Sequence, residues 1–324
     1  MWSISEALIT KGGLAHEGRA RSEPIVDNVL LLAATKLESR FWIQHHSFLL
    51  DSGYQLRPKY HPDWKPKWKS RREMIRSEES WVHVFASIID ATRVEDGKLV
   101  ALKGISKMDF PFELELGTFF SSSPLSNDPR NHCVPIYEVL QSPHDPDMQL
   151  IVMPRLRETH TSSFDTVGEF VDAFQQIFEG IDFMHEHLVA HKDISILNPR
   201  YYIIDFGFSR RYDPNQYPYD EIVAAGDRSA PELRRLRDDP STKFNPFAFD
   251  VYCAGNMMRR DYDICCPDLL FLLPLVDDMT QDEPSLRPTI REALTCFVGL
   301  CNSLSTSQLP GLFVTPVGRI KRPD

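Results

Sequence analysis

The stretch "HKDISILNPRYYIIDFG", His191 to Gly207, decides how this chain is to be read. Two acidic loop signals, "HKD" and "DFG", flank the β-rich run "YYIID", Tyr201 to Asp205. A short run of β-branched and aromatic residues favours a strand, so Asp205 is expected at a strand end and Asp193 in the loop before it. Only six residues, Pro199 to Ile204, separate Asn198 from Asp205. At strand rise Asp205 lies about 13 Å from Tyr201, while the chain from Asn198 to Tyr201 reaches at most about 11 Å. Asn198 and Asp205 can therefore approach one point only with a shortened strand or a displaced loop, and a first strand to pair with "YYIID" is expected to be missing.

Working outward, the chain before this stretch is helical. Thr166 and Glu169 have capping-box spacing, and Val167, Phe170, Val171, Phe174, Ile177, Phe178, Ile181, Met184 and Leu188 form an apolar stripe at helical period. From Trp81 to Leu156 the pattern is strand-like. "WVHVFASIIDATRVEDGKLVALKGI" holds two β-rich runs joined by "EDG", a hairpin signal. A helix is expected at "FPFELELGTFF", and two further strands at "VPIYEVL" and "MQLIVMPRL", with "HDPD" turning between them. A strand-rich half followed by a helix-rich half predicts an α+β fold of two lobes. Residues 1–71 read as a partly helical leader, 72–300 as one domain (small lobe about 72–153, large lobe about 157–300) and 301–324 as a tail. Within the leader, "DSGYQLRPKYHPDWKPKWKSRR", Asp51 to Arg72, is a basic, Pro-rich junction with Trp64 and Trp68.

Composition excludes several classes. The 324 residues are 42% hydrophobic and 25% charged, an ordinary globular balance. A net charge of −10 argues against a general nucleic-acid binder. The longest apolar runs, such as "LLFLLPLV", fall short of the roughly 20 residues that span a bilayer, and "MWSISEALITKGG" lacks the layout of a secretory signal. The six cysteines have no C-x-x-C spacing, so neither a disulfide framework nor a zinc site is expected. An intracellular monomer follows as the expectation, away from membranes.

The motifs taken in order carry more than any one of them. "VALK" ending at Lys103 precedes a helical Glu113, then "HKD", Asn198 five residues after Asp193, "DFG", "APE" at Ala230 to Glu232, "DVYCAG" at Asp250 to Gly255, and "LRPT" at Leu286 to Thr289. In this series the chain resembles the eukaryotic protein kinases, over roughly Arg72 to Leu300, and "RNHCVP" and "YYIIDFGFSRRYDP" resemble a fungal group of kinase-like proteins with degenerate features. The resemblance implies ATP and Mg2+ as cofactors. It implies that Lys103 holds the α/β-phosphates and that Glu113 orients it, with Glu115 the alternative in another helix register. Asp193 would accept the substrate hydroxyl's proton, Asn198 and Asp205 would hold the metal, and Met153, Arg155 and Leu156 would line the adenine. Glu232 and Arg287 would form a buried ion pair, and Asp250 would anchor the catalytic loop.

Departures from that pattern keep a second reading open. No glycine occurs between Gly53 and Gly97, although the family's glycine-rich loop, counted back from Lys103, falls near Trp81 to Ile88. Those glycines let backbone amides approach phosphates. Lys192 replaces the usual arginine, Ser195 the usual lysine, and Ala225 a usual threonine. Ser209, Tyr212, Tyr217 and Tyr219 are candidate phosphosites with Arg210, Arg211 and Arg228 nearby. One reading is an ATP-dependent kinase acting on protein hydroxyls, Ser/Thr by default. The other is a pseudokinase that serves as a binding or scaffold module.

Overall fold

The structure, a computed structural model, describes residues 39–68, 71–77, 87–156, 164, 166–197, 201–222, 226–261 and 267–302. The chain divides into two compact units, residues 1–109 with 136–155, and residues 110–135 with 156–324. The first is β-rich and the second mainly helical, the α+β, two-lobed kinase-like class expected. No helix among the described residues is long and apolar enough to cross a membrane.

The first unit is built on a five-stranded antiparallel sheet. Helix α1 (His46–Asp51) leads into β1 (Tyr54–Leu56), and a long connection containing α2 (Arg71–Arg76) leads to β2 (Ile88–Arg93). β3 (Leu99–Ser106), β4 (Glu138–Gln141) and β5 (Met148–Pro154) complete it in the order β1-β2-β3-β5-β4. The "EDG" hairpin joins β2 to β3 as expected, and Gly97 supplies the left-handed turn residue at φ +71°. One face of the sheet buries Leu56, Ile89, Ala91, Val100, Leu102, Leu150 and Val152 against Trp42 and Leu49. Alternation along a strand requires the next residues to face the other way. The opposite face therefore carries Asp90, Ala101, Lys103 and Met153.

β1 corrects the sequence reading. It comes from the stretch read as leader, and its register Leu56↔Ala91 makes it the strand beside β2. The β1–β2 connection is therefore residues 57–87, and the stretch near Trp81 to Ile88 where the glycine-rich loop was expected falls at its end; residues 81–86 lie outside the described residues. The helical residues before β1 are fastened to the far edge of the sheet. His45 Nδ1–H donates to the Phe41 carbonyl at 2.7 Å, which leaves Nε2 to accept from the Ser142 hydroxyl at 2.8 Å.

In the second unit α3 (Pro111–Ser121) and α4 (Val167–Glu186) fulfil the helical expectations, and the Thr166 side chain caps α4 by accepting from Glu169 N–H at 3.1 Å. Phe170, Phe174 and Phe178, one turn apart, are fully buried, and Phe178 meets Phe297 at 5.3 Å between ring centroids. Two small ladders follow: β6 (Val189–Ala190) with β9 (Arg210–Arg211), and β7 (Ser195–Leu197) with β8 (Tyr202–Ile204). Helices α5 (Pro231–Asp238), α6 (Pro246–Asp261), α7 (Leu273–Met279) and α8 (Ile290–Asn302) complete the unit.

The strand expected to be missing is present. "SIL" of the loop after Asp193 becomes β7, in register Ser195↔Ile204, Ile196↔Ile203 and Leu197↔Tyr202. The chain solves the short connection by starting the strand inside the loop. Tyr201, at φ +45°, helps to close the turn. The other edge of β8 is paired as well, since Val134 N–H donates to the Ile203 carbonyl at 2.9 Å and Ile203 N–H to that of His132 at 2.7 Å.

Candidate functional site

The β7–β8 register brings two of the expected acids to one place. Ser195 faces Ile204, so Asp193, two residues before Ser195, and Asp205, one after Ile204, lie at the same end of the ladder. Leu197 pairs with Tyr202 at the other end. Asn198, which follows Leu197, lies outside the described residues.

His191 binds both stretches and is fully buried. Its Nε2–H donates to the Ile204 carbonyl at 3.0 Å, which leaves Nδ1 to accept from Asp193 N–H at 3.3 Å. The Ile204 carbonyl fixes that tautomer, because a carbonyl can only accept. The ring thus sits between the residue preceding Asp205 and the backbone of Asp193 itself. Sequence reasoning missed it; the "H" of "HKD" gives a motif position, not a partner thirteen residues away.

Asp250, on α6, anchors the loop as expected. Its Oδ2 accepts from His191 N–H and its Oδ1 from Lys192 N–H, each at 2.7 Å, and His185 Nε2 approaches Oδ2 at 3.0 Å. Lys192 and Asp205 both have positive φ, +68° and +67°. Side-chain-bearing residues adopt that region at a cost, and they concentrate at functional sites. Gly226 is a further part of the frame. At φ +92°, a Cβ there would stand 2.1 Å from the Lys192 carbonyl oxygen and 2.8 Å from the Phe249 ring. Only glycine allows this approach.

Lys192 also holds the segment after "DFG". Its Nζ meets Glu221 Oε1 at 2.7 Å, and Arg210 meets Oε2 at 3.0 Å. Burial works against the Glu221 carboxylate, but Lys192 and Arg210 hold its pKa below the usual value. Tyr212 packs on Tyr219 and on Phe247 at 5.6 and 5.3 Å, and burial pushes its phenol up. Of the candidate phosphosites Ser209 is 1% exposed and donates to the His191 carbonyl, whereas Tyr217 is 76% exposed. Ala225 lies outside the described residues.

The remaining candidates are placed on firm elements. Lys103 is buried on β3, and Glu113 is buried on α3 while Glu115 is exposed. α3 is tied to the "DFG" segment by Phe120 stacking on Phe206 at 6.1 Å and by Phe110 against Phe208 at 6.2 Å. Met153 is buried at the end of β5, Arg155 is exposed and Leu156 is half-buried. Glu232 and Arg287 form the expected pair, with Nη1 to Oε1 at 2.5 Å and Nη2 to Oε2 at 3.1 Å, both side chains fully buried. Among the described residues no group of three or more His, Cys, Asp and Glu could form a metal cage. Of the two residues expected to hold the metal, Asp205 directly follows β8 and Asn198 lies outside the described residues.

Comparison with known proteins gives the same direction. No family model matches the chain. It is 28% identical over 186 residues to "Cyclin-dependent kinase G-1" of Oryza sativa subsp. indica, covering 51% of this chain and 25% of the relative. It is 31% identical over 112 residues to "Serine/threonine-protein kinase CAK1" of Saccharomyces cerevisiae, covering 31% of this chain and 28% of the relative. The matched region thus spans about a quarter of the length of these relatives. In sequence and in fold the chain is protein kinase-like.

Proposed function

We propose that this chain is a phosphotransferase of the protein kinase type, acting on protein hydroxyl groups, serine and threonine by default. The observation that carries the reading is the β7–β8 register, which keeps Asp193 and Asp205 at one end of a ladder despite the short connection. The similarity to serine/threonine kinases supports it. Bound Mg-ATP would supply the phosphoryl group and the counter-charge for its transfer. The Asp193 carboxylate would accept the proton of the attacking hydroxyl, the Asp205 carboxylate would hold the metal, and the Lys103 ammonium would hold phosphate oxygens, with Glu113 as the orienting acid that the kinase resemblance implies. Asp250, His191 and Gly226 position Asp193 without touching substrate.

A pseudokinase serving as a scaffold is the second reading. It is favoured by the conversion of Ser195 to Leu197 from loop into strand. The two are separated by the melting temperature of the chain with and without saturating Mg2+ and ATP. Ligand at 100 times its Kd adds about 2.7 kcal/mol, worth several degrees at about 2–4 °C per kcal/mol. A magnesium-dependent rise abolished by Asp205→Ala supports the phosphotransferase; no rise at any concentration supports the scaffold.

A further inference from the structure

Glu221 is a carboxylate enclosed by cations in the second unit. Its N–H donates to the Phe244 carbonyl at 3.0 Å and its own carbonyl accepts from Phe244 N–H at 2.8 Å, so its backbone is pinned. Its side chain is 14% exposed and that of Lys192 13%. The carboxylate joins Lys192 Nζ to Arg210 Nη1. These cations come from both sides of one loop: Lys192 directly precedes Asp193, and Arg210, on β9, stands opposite Ala190, the residue before His191.

The contact bears on Lys192. At φ +68° it occupies a region unfavourable to residues with a Cβ, and such a conformation persists where its surroundings over-determine it. Asp250 holds its N–H, and its carbonyl passes close against Gly226. Glu221 holds the side chain. Without that carboxylate the ammonium is released, the left-handed backbone loses a restraint, and Asp193, the next residue, moves with it.

A phosphate added to this segment would order it by recruiting lysine and arginine side chains, but those side chains are engaged. Lys192 and Arg210 hold Glu221, Arg210 also lies over the Tyr212 ring at 5.7 Å, and Arg211 lies over the Phe119 ring at 4.4 Å. Ser209 is buried, and so is the Tyr212 hydroxyl, whose pKa is raised by burial and by the Glu221 charge. A phosphate on Tyr212 would meet that charge and be repelled.

We infer that Glu221 is a positioning residue: its carboxylate is the built-in anion that holds Lys192, and through it the backbone of Asp193, so that the segment after "DFG" orders the site without being phosphorylated. This rests on the phosphotransferase reading and adds its regulation, a site assembled constitutively.

The test uses the full chain as wild type, freed of phosphate by a phosphatase and checked by intact mass, and as Glu221→Gln, Lys192→Met and the double variant. Transfer from Mg-ATP to a general protein substrate gives kcat and KM, and hydrogen exchange reports on the Lys192 and Asp193 amides. The phosphate-free wild type is expected to keep its initial rate within about twofold. Glu221→Gln loses a charge-assisted contact and is expected to lower kcat about tenfold with KM for ATP within about twofold, and to speed exchange at the two amides about tenfold. The double variant should be no slower than Lys192→Met, because Glu221 acts through Lys192. Loss of the initial rate on phosphate removal would overturn the inference, as would unchanged kcat and exchange in Glu221→Gln, a loss confined to KM, or strictly additive losses in the double variant. If Glu221→Gln does not fold, the phosphate-free wild type decides alone. If the wild type transfers nothing, the phosphotransferase reading fails, and the ordering role of Glu221 is read from exchange: it stands where Glu221→Gln speeds exchange at the two amides and falls where exchange is unchanged.

Discussion

Replacing Arg287 with methionine removes one half of a fully buried ion pair and more besides. The guanidinium bonds both oxygens of Glu232, and it also donates to the Ala248 carbonyl at 2.9 Å and from Nε to the Gln281 carbonyl at 2.8 Å, with Tyr252 beneath it at 4.9 Å. Arg287→Met leaves a buried carboxylate and two carbonyls without these donors. Breaking a buried pair from one side costs about 3–5 kcal/mol, and the lost carbonyl bonds favour the upper part of that range. At about 2–4 °C per kcal/mol this lowers the melting temperature by about 6–20 °C. Replacing both partners, Glu232→Gln with Arg287→Met, removes the stranded charge, so the double variant should be less damaged than the sum of the singles by about 1–3 kcal/mol. Urea unfolding of the wild type, both singles and the double measures this directly. An Arg287→Met cost below about 1 kcal/mol, or strict additivity, would refute the argument that the pair holds α5 to the segment before α8.

Three further outcomes are expected. Asp250→Asn opposes an amide to one of the two loop N–H groups, so it should cost about 1.5–3 kcal/mol and speed hydrogen exchange at the His191 and Lys192 amides; unchanged exchange would remove Asp250 as the anchor. Gly226→Ala forces a Cβ toward the Lys192 carbonyl at positive φ and should destabilise by at least about 1–3 kcal/mol, while a loss under about 0.5 kcal/mol in urea unfolding would contradict the close approach. Burial, with His144 adding to it, holds the His45 pKa below its ordinary 6.5. The folded state therefore favours the neutral ring, the unfolded state binds the extra proton, and His45 should contribute stability that falls away as pH drops below about 6.5. Protonation also turns Nε2 into a donor toward Ser142 Oγ, which already accepts from His144 and Asp145 N–H at 3.2 Å. A melting curve from pH 7.5 to 5.5 with the same slope in His45→Gln as in the wild type would exclude this role.

The parts of the fold that were legible in the sequence are the local ones. The β2–β3 hairpin announces itself through two β-rich runs and a turn, and α4 through a cap and a stripe at helical period. β1 was hidden, because three residues in a Pro- and Lys-rich stretch become a strand only by pairing with a partner more than thirty residues away. β7 was hidden for a different reason. "SIL" occupies motif positions that normally belong to a loop, and the short connection to β8 forces them into a ladder. In the site, Asp193, Asp205, Asp250 and the Glu232–Arg287 pair follow from motif order. His191 as a bridge, Gly226 beneath Lys192 and Glu221 between Lys192 and Arg210 do not, since each depends on a contact between segments apart in the chain.

The most direct test is transfer of radiolabelled terminal phosphate from millimolar Mg-ATP to a general protein substrate by the wild type and by Asp193→Asn, which keeps the side chain's shape and removes its basicity. The phosphotransferase account predicts label on serine or threonine with the wild type and a fall of about a hundredfold or more with the variant. Equal labelling by the two proteins, or none by the wild type, would contradict it.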